Sequence, residues 1–378
     1  MKIPFNKPYM TGDELYYIKD AVSRGKISGN GYYTQKCHEF FKQRMGFRNC
    51  LLTSSCTDAL EMAAILIDVK PGDEIIMPSY TFVSTANAFA LRGAKIIFAD
   101  SYDNNPNIDA IPIEQLITLK TKAIVVVHYA GISCDMGLIM DIANKHNLFV
   151  VEDAAQAIDS YYNDKLLGTI GHLAAFSFHE TKNIISGEGG MLVVNDERFD
   201  KRAEIIWEKG TNRSAFFRGE VDKYSWVDVG SSFLPSDVTA AFLYAQLENL
   251  DKIQSRRRTL WNNYYERLKK LEEEGLLKLA EVPNYATVNG HLFYIVCKNI
   301  EERDQLIQFL KDKGIYSVFH YVSLHNSPFY TENETRVILK NCDKFSDCLV
   351  RLPLFYELEI DEQEHIIQNV VHFFNLNK

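Results

Sequence analysis

The sequence predicts an α/β protein with a mostly parallel central sheet, helices on both faces of that sheet, and a smaller C-terminal α+β domain. Short apolar runs rich in Val and Ile alternate with longer helical patterns in the first half of the chain. Runs that are apolar at consecutive positions are typical of strands buried on both faces, as in parallel sheets. At 378 residues, 46% of them hydrophobic, the chain can form one large domain and one smaller one.

The alternation of strand and helix patterns gives the large domain its predicted elements. The predicted strands are Glu74–Met77, Lys95–Ala99, Ala123–Val127, Leu148–Val151, Ala174–Ser177 and Gly190–Val194. The predicted helices between them are Ser55–Ile67, Ser84–Arg92, Ile113–Ile117 and Gly137–Lys145. Ligands of such folds bind beyond the carboxyl ends of the strands.

The pattern changes near Asp237, where a long helical stretch begins. The elements predicted after this point are the helices Val238–Leu271, Glu301–Lys313 and Asp361–Phe374 and the strands Phe293–Val296 and Ser317–Phe319. We therefore divide the chain into a large domain, residues 1–245, and a small C-terminal domain, residues 246–378.

Composition excludes several classes of partner. The formal net charge is -9 and no long basic run occurs, which argues against nucleic acid or an anionic membrane. The first residues lack the apolar core of a signal peptide, and no apolar stretch has membrane-spanning length. Seven scattered cysteines without a CxxC pair indicate reduced thiols and no metal site. We expect a cytoplasmic protein.

Lys182 and Asp153 are the candidate catalytic pair. Each follows a predicted strand, so both are expected at the same edge of the sheet. Pyridoxal 5'-phosphate (PLP) requires a lysine that forms a Schiff base with its aldehyde and a carboxylate beside its pyridinium nitrogen. For an isolated pair the alternative is a turn-capping Asp153 and a solvated Lys182.

Hydroxyl residues and an aromatic residue complete a possible PLP site. Ser55, Cys56 and Thr57 begin a predicted helix, whose N–H groups and dipole can bind a phosphate. Ser177 lies five residues before Lys182 and can reach the same phosphate. Phe82 follows a strand and can cover the cofactor ring, although capping and core packing explain many such residues.

The sequence resembles the DegT/DnrJ/EryC1/StrS family of sugar aminotransferases over nearly its whole length. The motifs that carry the resemblance are Pro71–Phe82, His128–Gly131, Glu152–Gln156, Ser177–Asn183 and Gly187–Gly190. The resemblance implies a PLP-dependent transferase of fold type I and a homodimer with shared active sites. It implies that Lys182 forms the Schiff base, that Asp153 binds the ring nitrogen and that Gln156 lies near the ring oxygen. It places Phe82 over the ring, and Ser177 and the Cys56–Thr57 backbone at the phosphate.

Three further segments resemble family members that aminate C4 of a dTDP-linked sugar: Leu51–Thr57, Glu208–Ser214 and Phe217–Tyr224. We therefore expect L-glutamate as the donor and dTDP-4-keto-6-deoxy-D-glucose as the acceptor, giving dTDP-4-amino-4,6-dideoxy-D-galactose for a surface polysaccharide.

Candidate substrate-binding residues lie in two places. Cationic side chains suited to the pyrophosphate lie in the predicted cross-subunit loop Gly210–Ser232, at Arg213, Arg218 and Lys223. His320, Tyr321 and His325 resemble a family segment that lines the sugar pocket. Many family members carry Gly-Tyr-Asn where this chain has Gly230–Asp237, so Ser231 or Ser232 is expected to replace that Asn at the phosphate.

Several alternative functions differ in chemistry. A related aminotransferase would place the amine equatorially on C4, giving the gluco product, or on C3. PLP-dependent sugar dehydratases carry His at the position of Lys182, which argues against that class. A non-catalytic binding module is disfavoured because Lys182, Asp153 and Gln156 occur together. A nicotinamide dehydrogenase is disfavoured because no G-x-G-x-x-G follows an early strand.

Overall fold

The computed structural model describes residues 2–334 and 336–376. Its first 200 residues contain a seven-stranded sheet and a small two-stranded sheet formed by β6 and β7. The strands are β1 Cys50–Thr53, β2 Glu74–Pro78, β3 Lys95–Ala99, β4 Thr121–Val127, β5 Phe149–Asp153, β6 Tyr161–Tyr162, β7 Lys165–Leu166, β8 Leu173–Ser177 and β9 Gly190–Val194.

The large sheet has the strand order β1-β9-β8-β5-β4-β2-β3. Neighbouring strands from β8 to β3 are parallel, whereas β9 is antiparallel to both β1 and β8. The carboxyl ends of β1, β5 and β8 and the start of β9 therefore meet at one edge of the sheet. Thr53 and Ser177 both pair with Gly190 at this edge.

Helices cover both faces of the large sheet. The helices of this part of the chain are α1 Glu14–Ser23, α2 Tyr32–Met45, α3 Cys56–Leu66, α4 Val83–Ala90, α5 Met136–His146, α6 Asp200–Trp207, α7 Arg213–Phe217, which has no buried residue, and α8 Asp237–Glu248. Adjacent strand residues enter different cores, because side chains alternate across a strand. Leu51 packs in the core formed with α3, and Leu52 packs in the core formed with α2 and α8.

The C-terminal part contains a separate three-stranded antiparallel sheet. Its elements are α9 Leu250–Glu273, β10 Lys278–Leu279, β11 Phe293–Val296, α10 Ile300–Asp312, α11 Pro328–Asn333, α12 Lys340–Cys348, β12 Leu349–Leu352 and α13 Ile360–Leu376. Trp261, Phe293 and Phe374 pack in its core. Ile3, from the start of the chain, enters the same core and bridges to Ile315.

The predicted fold class is confirmed, and all six strands predicted for the large domain are present. The sequence predicts one continuous helix from Val238 to Leu271, and this prediction is wrong in its continuity. The helix is interrupted at Asn249, which separates α8 from α9. The strand predicted at Ser317–Phe319 is also wrong, since only an isolated bridge joins Val318 to Arg351. The helix predicted at Ile113–Ile117 is a 3₁₀ helix that spans Ile111–Leu116. The domain boundary stays a prediction, and it falls within α8.

In the part of the chain that the structure describes, no helix combines the length and the apolar character needed to cross a bilayer.

Candidate active site

A cavity of about 950 Å³ lies where the carboxyl ends of the parallel strands meet the C-terminal part. This volume is near the upper end of the range for small-molecule sites. The predicted site residues that line it are Ser55, Cys56, Thr57, Phe82, Asp153, Gln156, Ser177, Lys182, His320 and Tyr321. Residues separated by more than 250 positions in the sequence are thus brought to one cavity.

Lys182 lies in the loop between β8 and β9, where its N–H donates to the His179 carbonyl at 2.9 Å. The next residue, Asn183, is buried and anchors the loop. Its Nδ2 donates to the Gln254 side chain at 2.8 Å, and its Oδ1 lies 2.8 Å from His291 Nδ1. Burial lowers the pKa of the Lys182 amine, and the nearby Cys56 and Asp153 only partly oppose that effect.

Asp153 ends β5 with its carboxylate buried. Thr85 Oγ1 donates to Oδ2 at 2.7 Å, and the Ala155 N–H donates to Oδ1 at 3.2 Å. Burial raises the pKa of Asp153 although these hydrogen bonds and the charge of Lys182 act against it. No cationic side chain among the described residues hydrogen-bonds to this carboxylate, so it is suited to a positively charged N–H partner.

The residue before Asp153 fixes the end of β5 through a buried network. Glu152 accepts hydrogen bonds from His128 Nε2 at 3.0 Å and from the N–H groups of Gly168, Ile170 and Gly171 at 2.7, 2.9 and 2.6 Å. The Cys134 N–H donates to His128 Nδ1 at 3.2 Å, so the Nε2 atom carries the proton shared with Glu152. The network joins the end of β4 to β5 and to the turn before β8.

The N-terminus of α3 forms one end of the cavity. Ser55 caps the helix by accepting a hydrogen bond from the Asp58 N–H at 3.0 Å. The N–H groups of Cys56 and Thr57 donate to no described residue and remain available to an anion. A Cβ on Gly190 would lie 2.4 Å from Cys56 N, so only glycine allows β9 to approach this helix end so closely.

Aromatic side chains also line the cavity. Phe82 is 56% exposed and lies directly before α4, with its ring centroid 6.2 Å from that of Tyr321. Gln156 accepts a hydrogen bond from the Ala130 N–H at 2.7 Å and donates to the Tyr321 hydroxyl at 3.0 Å. His320 Nδ1 lies 2.9 Å from the Tyr129 hydroxyl, and burial holds the pKa of His320 well below its usual value.

The remaining predicted site residues do not line the cavity of this chain. His325 is buried, with Nδ1 2.7 Å from Ser79 Oγ and Nε2 3.3 Å from Asp343. Arg218 pairs with Glu204 and Glu220, each at 2.7 Å, on the surface. The other members of this set, all exposed, are Arg213, Lys223, Ser231 and Ser232.

The model of the DegT/DnrJ/EryC1/StrS aminotransferase family matches residues 8–371 of this chain. The chain belongs to this family. The family and its similar structures identify it as a PLP-dependent sugar aminotransferase.

Solved structures resemble the aminotransferase over nearly its full length. TlmJ from Streptoalloteichus hindustanus is 26% identical with a TM-score of 0.92, and the match covers 100% of both chains. DesV from S. venezuelae, solved in complex with a ketimine intermediate, is 27% identical with a TM-score of 0.90, covering 99% of this chain and 98% of DesV. NtdA from Bacillus subtilis, solved with the bound cofactor pyridoxamine phosphate (PMP), is 26% identical with a TM-score of 0.87. The match covers 97% of this chain and 83% of NtdA.

The residues of this aminotransferase fit PLP. The amine of Lys182 has a lowered pKa, and the Asp153 carboxylate has hydrogen-bonding capacity left for a pyridinium N–H. The free N–H groups at the start of α3, with Ser177 beside them, offer donors to a phosphate. Each requirement of the cofactor thus has a matching group on one cavity.

Three residues of the site were not among the predicted ones. Thr85 holds Asp153, Asn183 anchors the lysine loop, and Arg351 on β12 lines the cavity. Thr85 lies three residues after Phe82 and Asn183 follows Lys182, so both were within the reach of motif-based reasoning. Arg351 stands alone in an apolar strand, and only the fold brings it to the site.

Proposed function

We propose that this aminotransferase moves the amino group of L-glutamate to C4 of dTDP-4-keto-6-deoxy-D-glucose. The products are dTDP-4-amino-4,6-dideoxy-D-galactose and 2-oxoglutarate. The observation that carries the reaction is the buried amine of Lys182 on one cavity with the buried carboxylate of Asp153 and the open N-terminus of α3. The choice of sugar rests on the sequence resemblance to dTDP-4-amino-4,6-dideoxygalactose transaminase in Leu51–Thr57 and two later segments.

PLP, when bound, provides an electron sink for the charge that develops on the reacting carbon. Asp153 would bind its ring nitrogen, Gln156 would lie near its ring oxygen, and Phe82 would cover one face. Cys56 and Thr57, with Ser55 and Ser177 beside them, would hold its phosphate. Lys182 moves the proton of the donor's α-carbon and later delivers a proton to C4 of the sugar. Its lowered pKa supports this role, because a neutral amine is the form that accepts a proton.

The sugar nucleotide has binding groups of two kinds in this proposal. His320 and Tyr321 line the cavity and are available to the sugar ring. We assign Arg213, Arg218 and Lys223 to the pyrophosphate in the active site of a second copy of the chain. His325 does not reach the cavity, and we propose a supporting role for it through Ser79.

A homodimer forms part of the proposal because the loop that carries these cations is apolar as well as exposed. Trp226 is 80% exposed and Phe217 is 69% exposed. Apolar residues clustered on a surface mark an interaction site. In an isologous dimer the loop of one subunit can complete the other subunit's site, with Ser231 and Ser232 near the phosphate. All seven cysteines are free thiols, which supports a reducing compartment such as the cytoplasm.

The test is incubation of the purified enzyme with dTDP-4-keto-6-deoxyglucose and L-glutamate, followed by NMR of the product. An axial amine at C4 is expected, and Lys182→Ala should give none. An equatorial amine would show that the product is the gluco epimer. Loss of a hydroxyl without amination would indicate a dehydratase. Turnover only with a 3-keto sugar would move the reacting position to C3.

A further inference from the structure

Arg351 carries a positive charge on the cavity wall without an acidic partner. Its guanidinium makes no ion pair and no side-chain hydrogen bond with any described residue, and its Nε is buried without an acceptor. Burying such a donor without an acceptor is unfavourable. Burial also lowers the pKa of Arg351, and the group remains charged at neutral pH.

The surroundings of Arg351 hold its guanidinium in place. Its backbone N–H donates to the Val318 carbonyl at 2.8 Å, and the guanidinium carbon lies 4.5 Å from the centroid of the Phe5 ring. Stacking on an aromatic face leaves the in-plane N–H groups of a guanidinium free for a planar anion. The arrangement is therefore prepared for a carboxylate.

Among the described residues that line this cavity, the cationic side chains besides histidine are those of Lys182 and Arg351 alone. Lys182 is needed as a proton carrier, which leaves Arg351 as the permanent positive charge of the wall. Both groups line the same cavity, and the positive charge of Arg351 adds to the effect of burial in lowering the pKa of Lys182.

We propose that Arg351 binds the α-carboxylate of the amino-acid donor by a bidentate pair and thereby places the donor's α-carbon beside Lys182. This inference rests on the proposed function for the identity of the donor. The α-carboxylate is bonded directly to the carbon whose proton Lys182 removes. The pyrophosphate of the sugar nucleotide is attached to C1, across the sugar ring from C4, so it lies farther from Lys182. The fork of the guanidinium can hold a planar carboxylate by two parallel hydrogen bonds.

The two half-reactions separate donor binding from sugar binding. In the first, PLP-loaded enzyme is mixed with L-glutamate alone, and absorbance follows conversion to the pyridoxamine form. Arg351→Gln should raise the half-saturating glutamate concentration by on the order of 100-fold, because it removes a charged partner in a desolvated site. Arg351→Lys should retain part of the affinity. In the second, enzyme in the pyridoxamine form is mixed with the keto sugar, whose half-saturating concentration should stay within about twofold.

Two donor analogues identify the carboxylate. Isoglutamine carries an α-amide and glutamine carries a γ-amide. The wild-type enzyme should discriminate strongly against isoglutamine, and Arg351→Gln should lose that discrimination while keeping its response to glutamine. Loss of discrimination against glutamine instead would assign Arg351 to the γ-carboxylate and overturn the proposal.

Arg303→Gln is the control, because Arg303 is also a buried arginine over an aromatic ring, 5.3 Å from the centroid of Phe319, but it pairs with Asp304 and does not line the cavity. It should leave both half-reactions unchanged, and melting curves of all variants test folding. Unchanged glutamate dependence in Arg351→Gln, or a loss confined to the sugar half-reaction, would overturn the proposal. A wild type that converts with glutamate but rejects the keto sugar would refute the proposed acceptor and leave the Arg351 comparison intact.

Discussion

Asp153 illustrates how one buried residue can be prepared for a partner. Among the described residues, its carboxylate accepts hydrogen bonds from two neutral donors, the Thr85 hydroxyl and the Ala155 N–H, and burial raises its pKa. A cationic N–H beside it would restore the ionised form, since an opposite charge stabilises a buried carboxylate. The same ionised carboxylate would keep a pyridinium nitrogen protonated.

Asp153→Asn should reduce turnover by at least about 100-fold, because an amide cannot hold a positive ring nitrogen as a carboxylate does. The Thr85 hydroxyl can still donate to the Asn oxygen, so the fold should be retained. The measurement is kcat with glutamate and the keto sugar, together with the affinity for PLP. Asp68→Asn on the surface is the control, and a normal rate for Asp153→Asn would contradict the assigned role.

Motif spacing was sufficient for the residues near strand ends, because a strand end fixes where the next side chains lie. Asp153 and Lys182 were both placed correctly at the edge of the sheet. Arg351 could not be placed, because its position depends on how β12 pairs with β11 and faces the large sheet. His325 was expected in the pocket, yet its ring is directed to Ser79, and no local pattern encodes that orientation.

At the scale of elements, the contact between β9 and the start of α3 determines the shape of the phosphate end. A Cβ on Gly190 would lie 2.3 Å from Ser55 C and 2.4 Å from Cys56 N, and both of these atoms belong to backbone that cannot rotate away. Gly190→Ala should therefore displace the helix N-terminus and weaken PLP binding by at least about 10-fold, because the phosphate contacts depend on N–H direction.

The neighbouring Gly189→Ala is the control for this prediction. Its added Cβ would meet Ser186 Oγ, the end of a side chain that can rotate. The measurement is a fluorescence titration of the apoenzyme with PLP, with melting curves beside it. Equal PLP affinities for the two variants would contradict the prediction.

Glu152 joins β4, β5 and the turn before β8, so its variant tests the stability of the sheet edge. Burial raises the pKa of Glu152, but hydrogen bonds from His128 and from the Gly171 and Gly168 N–H groups outweigh it and leave the pKa below its usual value of about 4.3. Glu152→Gln should reduce the free energy of unfolding by about 3 kcal/mol at pH 7, since an NH₂ group then faces N–H donors.

The pH dependence follows from the direction of that shift. A lowered folded-state pKa stabilises the protein above the unfolded-state pKa, and the stabilisation is lost as the pH falls through the folded-state value. The difference between wild type and Glu152→Gln should therefore shrink below about pH 4. Denaturant unfolding at several pH values measures it, with the exposed Glu273→Gln as control. A difference that grows on acidification would refute the assignment.

Elements with strong patterns were predictable, and short or interrupted ones were not. The strand β1 was missed because four residues, Cys50–Thr53, run directly into a hydroxyl-rich helix start. The break between α8 and α9 carries no Gly or Pro; instead, Asn249 Nδ2 bonds to the Ala245 carbonyl at 3.0 Å. Such local competition between side chain and backbone is hard to read from periodicity.

At the scale of the whole molecule, the proposal requires that two chains share each active site. Lys182→Ala and Arg213→Ala should each be impaired alone. Mixed after reversible dissociation, they should regain up to about a quarter of wild-type activity, because half of the dimers would be mixed and each would contain one intact site. Activity of the mixture and its mass by light scattering provide the measurement. If mixed dimers form without recovery of activity, Arg213 acts in the active site of its own chain or in no active site, which would contradict the shared site.

The active-site wall is divided between two sheets with separate cores. Lys182 and Asp153 come from the large sheet, whereas Arg351 comes from the small one and His320 and Tyr321 from the segment beside it. Substitutions in the small sheet can thus change which molecules are accepted without disturbing the groups that move protons. Such a separation makes the scaffold easy to diversify, because a new specificity can arise from an existing catalyst by changes in one part of the chain.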